Sequence, residues 1–272
     1  MYKALHIEQK VKINNIYTLF SDIREANYSF EGERHNFWEM VCVLEGNVGV
    51  ACENELYTLT EGQAVFHSPM EFHNIWSENS ENTVFIFSFS GVMPKLESKV
   101  YDLGPREMVL ISEIINTYKN VFKCEDICIT NINQGMETEA EKIIKLLEIL
   151  ILSTLGNSSS EIMDVNSKSA QNYLNIVSLL NENIHINLTV EEIAQMCNMS
   201  PSNLKKTFNK YSGVGIINYF NSLKIEKAQK LLKKGYSVKE TAYALGFSDQ
   251  NYFSVVFKRI AGISPLKYKN KK

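Results

Sequence analysis

The sequence predicts an α+β chain of two domains: a β-rich N-terminal half backed by helices, and an all-α C-terminal half. Three observations predict it. Short β-branched and aromatic runs separated by turn residues fill residues 5–90, and helical spacing of apolar residues takes over from Pro105. Thr189-Val190-Glu191-Glu192-Ile193-Ala194 recurs 48 residues on as Ser237-Val238-Lys239-Glu240-Thr241-Ala242, an internal repeat of one supersecondary unit. Charge is also segregated. Residues 166–272 carry 16 Lys and Arg against 6 Asp and Glu, a net +10, so the overall −3 leaves −13 for residues 1–165.

Taken in order, Glu39 to Val50 is rich in β-branched residues and turns at Gly46-Asn47. Leu56–Leu59, Ala64–His67 and Thr83–Phe89 are further short strands, and their spacing suggests a sandwich or barrel over residues 1–100. Residues 101–156 read as a helical connector. Pro105 to Phe122 carries Met108, Ile111, Ile114, Ile115 and Tyr118 on one stripe. Glu137 to Leu155 is apolar on more than one side, so it is buried within the chain or meets the same helix of a second copy. Residues 157–168, opening on Asn157 and three serines, read as a flexible linker.

Residues 169–272 hold the repeat. Ala170 to Asn183 is its first helix, with Tyr173, Ile176, Val177 and Leu180 inward. Each repeat copy opens on Thr or Ser with Glu three residues later, a capping box that satisfies free amides at a helix start. Each then breaks and begins a short basic helix, capped by Ser200 in the first copy and Ser248 in the second. This is a helix-turn-helix pattern, and its basic second helix is shaped for a DNA major groove. Leu204 and Phe208 face the core in the first copy, as Phe253 and Phe257 do in the second. From Ser248 to Phe257 there is one residue more than from Ser200 to Phe208, which predicts two non-equivalent reading surfaces. Between the copies, Ile216 to Leu232 is an amphipathic rod of ~25 Å at ~1.5 Å per residue. With the width of the modules added, that length suits two reading helices roughly one DNA turn, ~34 Å, apart.

The run Thr241-Ala242-Tyr243-Ala244-Leu245-Gly246-Phe247-Ser248-Asp249-Gln250-Asn251-Tyr252-Phe253-Ser254, followed by Phe257-Lys258, Gly262-Ile263-Ser264-Pro265 and Tyr268, resembles the signature of the AraC/XylS family of bacterial transcription regulators. The resemblance covers about 100 residues. It implies a seven-helix domain with two helix-turn-helix units on a rigid connecting helix. It places DNA-contacting residues at Ser202, Lys205 and Lys206 in the first unit and at Gln250, Asn251 and Val255 in the second, with Lys258 beside them. The family often has Arg at the position of Val255, where it can grip guanine; Val suits a thymine methyl instead.

In the N-terminal half, Gly32-Glu33-Arg34-His35-Asn36-Phe37-Trp38-Glu39, with six residues between Glu39 and Gly46, resembles the first motif of the cupin barrels. Gly62 to Pro69-Met70-Glu71-Phe72-His73 resembles the second more loosely. The template brings His35, Glu39 and His73 to ligand positions, with Glu33 where a further histidine would be. Three readings follow: polar contacts to a small-molecule effector, structural hydrogen bonds at a barrel mouth, or a metal held by two imidazoles and a carboxylate. Effector contacts are expected from His35, Trp38, Glu39 and His73, with Trp38, Phe66, Phe72 and Trp76 as an aromatic floor.

The pattern therefore points to a cytoplasmic regulator with a cupin-like sensor, free of cofactors. Its expected partners are double-stranded promoter DNA, an effector such as a sugar or related metabolite, a second copy of itself and, for an activator, RNA polymerase. No run of 18 apolar residues suggests a membrane span, and the first eight residues do not have the shape of a signal peptide. The five cysteines form no C-x-x-C pair and read as reduced, mostly buried thiols; Cys124-x3-Cys128 lacks a second pair to hold a metal. A metal-dependent enzyme with a DNA-binding tail is disfavoured by the absence of a nucleophile with a base partner, a phosphate loop or a complete ligand set. A constitutive DNA-binding protein with a purely structural barrel is the third alternative.

Overall fold

The computed structural model describes residues 3–53, 55–77, 79–96, 100–157, 163–165 and 167–270. It divides into two compact units, one of residues 1–28, 34–52 and 57–164, the other of residues 29–33, 53–56 and 165–272.

The first unit is built from two antiparallel sheets. Its strands are β1 (Lys12–Arg24), β2 (Trp38–Glu45), β3 (Asn47–Cys52), β4 (Glu55–Thr60), β5 (Gln63–His67), β6 (His73–Trp76), β7 (Asn82–Val92) and β8 (Val100–Asp102). Helix α1 (Pro105–Val121), a hairpin of β9 (Phe122–Glu125) and β10 (Cys128–Ile132), helix α2 (Glu137–Thr154) and the short β11 (Met163–Asp164) follow. The larger sheet runs β8-β5-β2-β7-β1-β10-β9 and the smaller β11-β4-β3-β6. Gly46, at φ 76°, turns the chain from β2 into β3.

Alternation along β2 decides what each face of the larger sheet does. Met40 and Cys42 join Phe85, Phe87 and Phe89 in one core with α1 and α2, and Trp38 packs against it. Glu39, Val41 and Val43 point to the other face. Most of the wide apolar surface of α2 is spent inside this core, through Ala140, Ile143, Leu147, Leu150 and Ile151, while Ile149 and Leu152 remain 39% and 49% exposed. Buried Glu148 pins α2 to the first strand, accepting from the backbone amide of Ile13 at 2.9 Å.

Two expectations for this region need correction. Residues 101–156 are not wholly helical: the β9–β10 hairpin interrupts them and joins the larger sheet at β1, where Thr18 faces Cys128. Nor is the segment 157–168 a plain linker, because Met163 and Asp164 pair with Thr58 and Tyr57; its serines 158–160 lie outside the described residues. The cysteines differ too. Cys42 and Cys52 are buried, but the hairpin carries Cys124 and Cys128 into solvent and Cys197 is half-buried.

The second unit contains α3 (Lys168–Glu182), α4 (Val190–Met196), α5 (Pro201–Ser212), α6 (Ile216–Lys233), α7 (Val238–Ala244), α8 (Gln250–Ala261) and α9 (Pro265–Asn270). Tyr173, Ile176, Val177 and Leu180 are fully buried, and Tyr173 lies 5.3 Å from Phe208 and 5.4 Å from Tyr211. A separate core forms around Phe247, Phe253 and Phe257, continued to Tyr268. Helix α6 serves both: Ile216, Tyr219 and Phe220 are buried in its first half, and Ile225, Ala228 and Leu232 enter the second core.

Candidate functional site

Each helix-turn-helix unit starts from its capping box. Thr189 and Glu192 exchange bonds of 2.7 and 3.2 Å, and Ser237 and Glu240 bonds of 2.8 and 3.1 Å. These hydrogen bonds hold the Glu192 and Glu240 carboxyls below the ordinary carboxylate range. The turns also match. Asn198, at φ 53°, and Gly246, at φ 73°, stand 48 residues apart in the left-handed region that reverses the chain after α4 and α7.

The extra residue of the second copy lies in that turn. Asp249, not Ser248, caps α8, because its carboxylate reaches two amides, Asn251 N at 2.9 Å and Tyr252 N at 3.3 Å. Ser200 caps α5 through Asn203 N at 3.3 Å. Both helices then run twelve residues to a left-handed glycine, Gly213 or Gly262. The reading surfaces are therefore in register, contrary to the expectation from the Ser248 spacing. Asn251 occupies the position of Ser202, Val255 that of Lys206, Lys258 that of Asn209, and Gln250 that of Pro201.

Ser202, Lys205 and Lys206 are exposed on α5, as are Gln250, Asn251, Val255 and Lys258 on α8. Val255 is 66% exposed, and Tyr252, one turn before it, is 56% exposed. Tyr252, Lys210 and Arg259 are surface residues that motif matching passed over.

What ties the two helix-turn-helix repeats together is Lys224, in the middle of α6 and only 1% exposed. Its ammonium donates to the carbonyl of Ile186, before the first unit, at 2.6 Å and to that of Leu245, in the second, at 2.8 Å. The rings of Phe220 and Phe247 lie 4.6 and 5.1 Å from it. Burial lowers its pKa to about 8. Gly246 packs at the same node; a β-carbon there would stand 2.6 Å from the backbone of Ile186. Sequence reasoning placed α6 but saw Lys224 only as one of many lysines.

In the N-terminal compact unit, His35, Glu39 and His73 do come together. Glu39 Oε1 lies 3.4 Å from His73 Nε2, and Oε2 3.8 Å from His35 Nε2. Burial alone would raise the Glu39 carboxyl; the facing imidazoles outweigh it and hold the group below the usual carboxylate range. Cross-strand register extends the polar row, since Glu39 faces His67 on one side and Ser88 on the other, and Ser88 bonds Thr18 at 2.7 Å. Trp38 does not join it, because one step along a strand turns a side chain to the opposite face. The aromatic floor is likewise divided. Phe66 belongs to the helix-side core, Trp76 closes over Gly49, and the rings beside His35 are Phe37, at 3.8 Å, and then Tyr17.

The model of the AraC-like ligand-binding domain matches residues 15–98, and a helix-turn-helix domain model matches residues 193–271. The HTH-type transcriptional regulator YijO of Escherichia coli is 32% identical over 136 residues, 49% of this chain and 48% of that protein, so the match spans about half the relative's length. YbfI of Bacillus subtilis, also an HTH-type transcriptional regulator, is 23% identical over 82% of this chain and 81% of its own. The HTH-type transcriptional activator RhaS of Escherichia coli is 24% identical over 87% and 86%. All three relatives are transcription regulators by description. With an AraC-like ligand-binding domain over residues 15–98 and a helix-turn-helix domain over residues 193–271, this chain belongs to the AraC family of transcription regulators.

Proposed function

We propose that the chain reads a promoter through α5 and α8 together and that a small molecule bound against the Glu39 row controls this reading. The observation that carries it is the common register of the two exposed helix faces on one buried rod. Lys205, Lys206 and Lys258 neutralise phosphate or grip guanine. Ser202, Gln250 and Asn251 hydrogen-bond base edges, and Val255 meets a thymine methyl. His35, Glu39 and His73 contact the effector. Half-buried and ionised, Glu39 with its two imidazoles suits a hydroxyl-rich metabolite such as a sugar. We infer a homodimer formed through the exposed residues Ile149 and Leu152 of α2, acting in the cytoplasm and meeting RNA polymerase where it activates. Domain limits near residues 1–100, 101–156, 157–168 and 169–272 belong to the same reading. Among the described residues, no helix is long and apolar enough to cross a membrane.

The test is binding of the full chain to duplexes selected from a random pool. Lys206→Ala is expected to weaken binding and lower its salt slope by about one counterion. Gln250→Ala should change the bases tolerated at one position. An unchanged slope and an unchanged selected sequence would remove both residues from the interface. Thermal-shift screening of sugars and related metabolites on the full chain identifies the effector, because a ligand of the folded form raises Tm. Glu39→Gln is expected to abolish that shift.

A further inference from the structure

A second cluster lies beside the Glu39 row. Cys52 ends β3, His67 ends β5, and Glu71 belongs to the loop between β5 and β6. One ligand atom from each of the three residues lies within 4.8 Å of the other two, and all three residues are buried. Because β3 belongs to the smaller sheet and β5 to the larger, the cluster bridges the two sheets. We propose that Cys52, His67 and Glu71 bind a divalent cation of the zinc class.

The donor set carries the chemical argument. One thiol, one imidazole and one carboxylate match the sulfur, nitrogen and oxygen ligands of a borderline cation, and hard cations such as magnesium do not take sulfur. Spacing agrees. Metal–ligand bonds of about 2.0–2.3 Å in a tetrahedron set ligands roughly 3.3–3.8 Å apart. Cys52 Sγ and His67 Nδ1 already stand at 3.6 Å, and a carboxylate oxygen of Glu71 lies within 4.8 Å of both ligand atoms.

The surroundings hold these side chains in place. Glu71 accepts from Ser68 N at 2.9 Å, and the backbone of the loop is bonded from Glu71 N to Ser68 O and from Met70 N to His35 O. The ring of His67 stacks on His73 at 4.3 Å, and His73 Nδ1 lies 3.0 Å from the carbonyl of Glu71. On binding, the Cys52 thiol loses its proton to solvent and the sulfur takes the metal in its place, so uptake strengthens as pH rises. A solvent molecule completes the fourth position. This site shares none of its ligands with His35, Glu39 and His73, and it stands whether or not those residues contact the effector.

Cobalt(II) is the probe. The reduced full chain titrated with it is expected to show one equivalent bound with a sulfur-to-cobalt charge-transfer band in the near ultraviolet, displaced by zinc. Cys52→Ser should lose the band, whereas Cys124→Ser/Cys128→Ser and His35→Ala should keep it. Glu71→Gln should weaken cobalt binding at least tenfold, and this variant decides the matter if Cys52→Ser fails to fold. A wild-type chain without the band overturns the site, as does a band that survives in folded Cys52→Ser or a Glu71→Gln affinity equal to wild type.

Discussion

Lys224 shows how one residue can do what a surface pattern does not announce. Burial removes an ammonium from water, and here two carbonyls and two rings replace the solvent, with no carboxylate among its partners in the described residues. Its pKa falls from 10.5 to about 8. Between those values the unfolded chain still holds a proton that the folded chain has released, so stability rises with pH across that window. Below pH 8 both states are protonated and the folded state bears the full penalty. Urea denaturation of wild type and Lys224→Met at pH 7.5 and pH 10 should show wild type gaining on the variant, by up to about 3 kcal/mol. Equal pH slopes would show that Lys224 is solvated. Gly246, at the same node, needs both its positive φ and its missing β-carbon. Gly246→Ala should lower stability by about 2 kcal/mol or more, read from the denaturation midpoint.

At the scale of elements, local chemistry made most of the C-terminal half legible. The capping boxes at Thr189 and Ser237, the proline after Ser200 and the apolar stripe of α6 act within a few residues of themselves, and the helices start where those signals stand. The start of α8 did not follow, since Ser248 and Asp249 are both good caps and only geometry chooses between them. Asp249→Ala should therefore cost about 1 kcal/mol in the denaturation midpoint and Ser248→Ala less than about half of that. A larger loss from Ser248→Ala would restore Ser248 as the cap. The N-terminal half was less legible for a physical reason. Which face of a strand meets the second sheet depends on pairing partners far along the chain, so Trp38 and Glu39 read alike as neighbours and end on opposite faces. The β9–β10 hairpin escaped notice because its residues are mostly exposed and its pairing with β1 spans more than a hundred residues.

For the whole molecule, the segregation of charge is the feature that composition alone revealed, and it predicts how binding responds to salt. The net +10 of residues 166–272 concentrates attraction to phosphate in one unit, while the −13 of residues 1–165 repels it. Removing the acidic half should therefore tighten non-specific duplex binding at low salt, with the difference fading as ionic strength rises, as gel-shift titrations would show. Unequal effects at high salt would point to a contact other than charge. The anchoring of α4–α5 and α7–α8 through Ile186, Lys224, Leu245 and Gly246 has one more consequence, this time for the DNA. A tool whose jaws cannot swivel measures length. Inserting a single base pair between the two contacted segments of an operator turns the far segment by about 36° around the duplex axis, given roughly ten pairs per turn. Hydrogen bonds and packing at that node resist such a turn, so binding of the full chain to such operators should be lost even with every contacted base intact, and a full extra turn should not restore it.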